Sequence, residues 1–237
     1  MVFWSGRRGS REVPLLRPRV VPTSLTKVDF TELVPEPIPF LGQAAYIQLE
    51  AFESLARAVA TAPTLGAKEG LSAAAGVALR KHHALIAELR REGVEPVEVM
   101  APFAPATDRF RETSSGADWY ELLLGIHVTT GILDGFFGRL AEGLPRDLGD
   151  RVRGILAEEG AGDVLRRELE RGIAEQPGLA DRLALWGRSL VGDALLIARS
   201  ALRGSGPGAP GQEEIEPVFT ELIADHTRRM DALGLTA

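Results

Sequence analysis

From Leu41 to Leu233 the apolar residues of this chain recur every three or four positions, and the period breaks only where proline and glycine cluster. No other feature restricts the fold as tightly, because such a stripe lies along one side of a helix and leaves water only by packing against another helix. No stretch of comparable length alternates with the period of two that a strand requires. The expected fold class is therefore all-α.

The punctuation divides the pattern into helices. After Pro35, Pro37 and Pro39, one face collects Leu41, Ala45, Leu49, Phe52, Ala56 and Val59. Pro63 marks the start of a second helix, which carries Leu71, Ala75, Ala78, Leu79, Leu85, Ile86 and Leu89 and stops at Gly93. So little chain separates these two that they must be antiparallel neighbours. A third helix is expected from about Trp119 to Leu140, with Leu122, Ile126, Leu133 and Phe137 inward. A fourth follows Pro145 without a break, through Leu148, Val152, Ile155, Leu165, Leu169 and Ile173. Between the two pairs runs "VEPVEVMAPFAPATDRFRETSSGAD", longer than a tight turn needs and able to hold one short helix. Two hairpins joined by one long crossover make a four-helix bundle.

Two additional C-terminal helices complete the pattern. Pro177 opens the fifth, where Gly187 and Gly192 are expected to allow close helix contact. The sixth follows the linker "GSGPGAPG", and its stripe of Ile215, Phe219, Leu222, His226 and Leu233 should dock on the bundle. The expected divisions are an arm at 1–37, the bundle at 38–203, the linker at 204–212 and the last helix at 213–237.

Composition excludes several kinds of chemistry. There is no cysteine, which removes disulfides, thiolate zinc sites, iron–sulfur clusters and cysteine nucleophiles and makes the reducing cytoplasm the natural home. No apolar run approaches the roughly 18 residues of a membrane span, so no membrane association is expected. The net charge of −6 argues against attraction of the whole surface to nucleic acid. The exception is the N-terminal arm, where Arg7, Arg8, Arg11, Arg17, Arg19 and Lys27 face the single acid Glu12 and Pro14, Pro18 and Pro22 prevent a helix. It reads either as a solvated tail or as an arm for RNA, with Phe3 and Trp4 able to stack on bases.

The stretch "LRKHHALIAEL" raises the question of a metal. His82 falls on the apolar stripe, whereas His83 turns toward Arg80 and Arg90. On the first helix Glu53 lies on the stripe between Leu49 and Ala56, with Glu50 placed outside near Arg57. On the fourth, Glu158 is expected on the inner face, beside Glu159. Bundles that hold a metal pair use a glutamate from each of two helices and a Glu-x-x-His from each of the others. Here Leu79 and Arg80 stand three residues before the two histidines, and Ala161 and Gly162 stand three after the two glutamates. Asp134 lies near Thr130 and His127, off the third helix's apolar stripe. What remains is one iron held by Glu53, His82 and Glu158, or a buried cluster in which the histidine bridges two carboxylates. His127 and His226 are expected to be satisfied bundle residues, and Arg228 and Arg229 to complement a helix dipole. The serines have no glycine-elbow context, and "GSGPGAPG" lacks the lysine of a phosphate-binding loop.

The segments "AFESLARAVATAPTL", "VMAPF", "RLALWGRSLVGDAL" and "HTRRMDALGLTA" resemble a ferritin-like family related to the tRNA hydroxylases that oxidise the isopentenyl group of a modified adenosine. The resemblance runs from about Pro39 to the C-terminus and implies a ferritin-like four-helix bundle. It also implies ligand roles for Glu53 and His82, and for Glu158 as the acid of the last motif. Leu79, Thr130 and Ala161 occupy positions where the family would supply further ligands. Two functional classes stay open: a non-catalytic binding or scaffold protein, and an iron-dependent, oxygen-activating hydroxylase acting on a modified tRNA nucleoside or a small molecule.

Overall fold

A computed structural model describes residues 35–158, 160–203 and 212–236. Residues 1–34 of the basic arm, with its RNA reading, and residues 204–211 of the linker lie outside the described residues. Everything regular in the described residues is helical, as the 3.6-residue period requires. None of these helices is long and apolar enough to cross a membrane.

The first hairpin is α1 (Pro37–Ala60) and α2 (Leu65–Arg91). The Thr64 side chain accepts from the Ala67 amide at 3.1 Å and starts α2. Gly93, at φ +75°, ends it, with the Val94 amide returning to the Leu89 carbonyl at 3.3 Å. The crossover holds α3 (Pro96–Met100) and α4 (Ala104–Ser114), joined by a 3₁₀ turn, where one short helix was expected. Both pack on α1.

Helix α5 (Trp119–Leu140) is the axis of the molecule. Asp118 caps it by accepting from the Glu121 amide at 3.0 Å, and it packs against α1, α6, α7, α8 and α9. The expected fourth helix is two helices, α6 (Arg146–Leu156) and α7 (Gly162–Glu175). The chain breaks at 157–161, and within the break Gly160 passes against Val77 of α2 so closely that a Cβ would collide with it. Apolar spacing survives the break, which is why periodicity alone did not reveal it. Helices α8 (Leu179–Arg203) and α9 (Gln212–Ala232) both pack against α5 and add Leu183, Leu190, Val218 and Leu222 to the same core. Gly187 has the close contact expected of it, against Met230 of α9, whereas a Cβ at Gly192 would meet nothing within 4 Å.

The buried stripe of α1 differs from the expected one. The residues that face the bundle are Leu41, Ala44, Ala45, Gln48, Ala51, Leu55 and Ala58, while Leu49, Phe52 and Val59 are only half-buried. Two partners, the bundle and the crossover, cover α1 on different sides. Small residues take the close helix contacts, and the larger apolar side chains fall on the flanks.

Candidate functional site

The rotation of α1 moves the candidate ligands apart. Glu53 is exposed, and Glu50, placed outside by the sequence reading, is 93% buried with Arg111 Nε 2.6 Å from its carboxylate. Glu158 sits in the break between α6 and α7 and is exposed, where it accepts two hydrogen bonds from Arg80 at 2.7 and 3.1 Å. His82 is buried as expected, but its Nδ1 is 2.9 Å from the Ala45 carbonyl, which can only accept, so the ring donates there. His83 is exposed. The structure does not bring Glu53, His82 and Glu158 together. Among the described residues no three or more His, Asp or Glu side chains are grouped so as to hold a metal ion.

What lies between the helices instead is a cavity of about 770 Å³. Its walls come from one face of each of three helices, at the i, i+3/i+4, i+7 spacing: Gln48, Ala51 and Leu55 of α1, Ala74, Ala78 and Lys81 of α2, and a longer run on α5. The α5 run is His127, Thr130, Gly131, Asp134, Gly135 and Gly138. The break at 157–161 forms a fourth side and Arg229 of α9 reaches in from the fifth.

The centre of the cavity is a closed set of hydrogen bonds. Gln48 Nε2 donates to Asp134 Oδ1 at 2.6 Å, and the Lys81 ammonium donates to Asp134 Oδ2 at 2.8 Å and to the Leu156 carbonyl at 2.9 Å. Lys81 is 6% exposed, and a buried ammonium is tolerable only with such partners. Leu156 is the last residue of α6, so the same ammonium caps that helix's free C-terminus. These donors do not fit a pair of irons. The central carboxylate is already neutralised by a protein cation, and that cation would repel a metal placed beside it.

The His127 end is different. His127 is 93% buried and its Nδ1 has no hydrogen-bond partner. Burial, together with the guanidinium groups of Arg229 and Arg166, pulls it down to about 4, so it is neutral near pH 7. Arg229 lies flat against α5 where Gly131 leaves room, and donates to the Gly131 carbonyl at 2.9 Å, but its buried Nε is unpartnered. Burial lowers this guanidinium from its ordinary value. The expectation that Arg229 only complements a helix dipole is thus corrected. So is the expectation of satisfied histidines, since neither ring nitrogen of buried His226 has a partner either.

Gln48, Lys81 and Arg229 were missed from the sequence. One signal was available. The polar and glycine positions of α5 repeat at helical spacing opposite its apolar stripe, from His127 to Gly138. Lysine and arginine normally carry their charge to solvent, so nothing in the sequence turned Lys81 or Arg229 inward.

A family model described as "Ferritin-like domain, actinomycetes" matches residues 35–203, well over half of the chain. No curated protein matches it.

Proposed function

Because this chain belongs to the ferritin-like domain family of actinomycetes, we propose that it has kept the frame and uses the bundle interior as a non-catalytic binding site for a small organic molecule. The observation that carries this reading is the pairing of Asp134 with Lys81 and Gln48 beside an open cavity of about 770 Å³. That volume is within the range of small-molecule pockets. In this reading the likeness to the tRNA hydroxylases is one of frame, and the iron-dependent oxygenation that it implies has no ligand set to run on among the described residues.

Two of the cavity glycines support the same reading. Gly135 and Gly138 sit inside α5, where glycine costs about 1 kcal/mol relative to alanine. A Cβ at either would meet nothing within 4 Å. Packing does not require glycine at these positions, and the space they leave belongs to the cavity. The test is a thermal-shift screen of small organic compounds on the wild type and on Gly135→Leu. Compounds should stabilise the wild type and not the filled variant, while metal analysis of protein grown with iron should find well under two irons per chain. Two irons per chain, or hits that ignore the filled cavity, would reverse the reading.

The basic arm is proposed, on its charge, to supply contact with RNA. Deleting residues 1–27 should abolish RNA binding and its salt dependence, because the remaining chain carries the negative balance. Undiminished binding by the truncated chain would refute it.

A further inference from the structure

The four cations that line the cavity have different partners. Lys81 is paired with Asp134, Arg139 with Glu221 and Asp225, and Arg153 with Asp150. The two acids at the rim are also engaged, Glu158 by Arg80 and Asp163 by Arg166. Among the described residues, Arg229 is the one cavity cation with no carboxylate at ion-pair distance. Beside it on α5 stands His127 with an unpartnered buried nitrogen, and the Arg229 Nε is unpartnered as well.

The Arg229 guanidinium can only donate, so an acceptor at this end of the cavity would satisfy it, and the neutral His127 ring beside it can donate to the same acceptor from whichever nitrogen carries its proton. The charge at this end is that of Arg229, because the imidazole is neutral near pH 7 and the carboxylates that act on Arg229 from further off, Asp225 and Asp134, are held by Arg139 and Lys81. A monoanion matches it, whereas a phosphate dianion would bring one charge too many. The guanidinium fork suits the two oxygens of a carboxylate. On the α1–α2 side the lining is mostly apolar, with Ala51, Leu55, Ala74, Val77 and Ala78 open to hydrocarbon beside Gln48 and Lys81, whose donors are taken up by Asp134.

We propose that the cavity binds an amphiphilic carboxylate, with its head on Arg229 and His127 and its hydrocarbon part along the α1–α2 wall. The proposal rests on the cavity being a ligand site, and the test separates the two. Octanoate and octanamide have the same tail and differ in the charge of the head. Isothermal titration of both against the full-length protein should show octanoate binding tighter by on the order of tenfold or more, the worth of a charge-assisted hydrogen bond. Arg229→Gln should erase that preference and leave octanamide unchanged, which also reports that the variant is folded. Arg229→Lys should restore part of it, and His127→Gln should weaken octanoate more than octanamide. Gly135→Leu should abolish both. Equal binding of acid and amide, unaffected by Arg229→Gln but lost in Gly135→Leu, would overturn the carboxylate assignment and leave the cavity reading standing. Binding of neither probe, or binding that Gly135→Leu does not touch, would overturn both.

Discussion

Helix α1 has two polar faces that do opposite things. On the side toward the crossover, Tyr46 donates to Asp108 at 2.7 Å, Glu50 meets Arg111 at 2.6 Å and Arg57 donates to Ser115 at 2.8 Å. The space left among them is about 40 Å³, room for water but for no organic ligand. On the side toward the bundle, Gln48 and Asp134 border a cavity some twenty times larger, which is also lined by His127 and by Arg229, a cation with no carboxylate at ion-pair distance among the described residues. Polar groups that fasten one element to another are consumed by each other. A cation that borders open space has no such partner, and the fold must be stable enough elsewhere to carry it.

The largest effect that could break this contrast is at the central pair. Asp134→Leu should destabilise the protein by about 3 to 5 kcal/mol, because Lys81 would be left buried and charged without its partner. Combining it with Lys81→Met should recover most of the loss. Urea unfolding of the wild type, single and double variants would reveal the coupling, and equal losses in single and double would show that there is none.

The two faces should also respond to pH in opposite senses. Burial raises Glu50 from 4.5 to about 7 despite Arg111, so its contribution to stability is complete below about pH 4.5 and is lost as pH rises through 7. Burial lowers His127 from 6.5 to about 4, so its contribution is complete above pH 6.5 and is lost as pH falls through 4. Buried His82 and His226 are lowered too and add to the second slope. Each of the two large shifts is worth on the order of 3 kcal/mol, and in the wild type they partly cancel. Glu50→Gln should therefore give a protein whose stability climbs more steeply between pH 4 and 6.5. His127→Gln should expose a decline between about pH 4.5 and 7. Unfolding free energies across that range, unchanged in slope by either substitution, would contradict the assignment.

A smaller effect is expected from Tyr46→Phe, which removes the hydrogen bond to Asp108 and should cost about 1 kcal/mol. Ligand binding in the cavity should not change, and a change would mean that the two faces communicate. The smallest effects belong to two of the residues that the sequence had favoured. Glu53→Ala and Glu158→Ala should each alter stability by about 0.5 kcal/mol or less, because one is exposed and the other is half of an exposed ion pair. A larger loss in either would mean that it is more deeply engaged than its exposure implies.

The reading of Glu53 and Glu158 failed for a local reason in each case. On α1 the sequence offers two overlapping stripes, Leu49–Phe52–Val59 and Ala44–Gln48–Ala51–Leu55, and hydrophobicity alone prefers the first. The bundle uses the second, because alanine lets α2 approach and glutamine reaches Asp134. A rotation of about one residue position then carries Glu53 out and Glu50 in. At Glu158 the helix has already ended, in the segment where Gly160 passes close to Val77.

The sequence by itself determined the all-α class, the two hairpins with a long crossover and the docking of two more helices, because the 3.6-residue period and the proline and glycine stops are properties of the local chain. It also placed His82 inside and His83 outside. Only the tertiary structure decided which flank of α1 is buried, where the fourth helix breaks, and that Lys81 and Arg229 turn inward. Those outcomes depend on what stands opposite: an ammonium stays buried only where a carboxylate and a helix-end carbonyl are already in place to receive it, and they come from α5 and α6, 53 and 75 residues further along the chain.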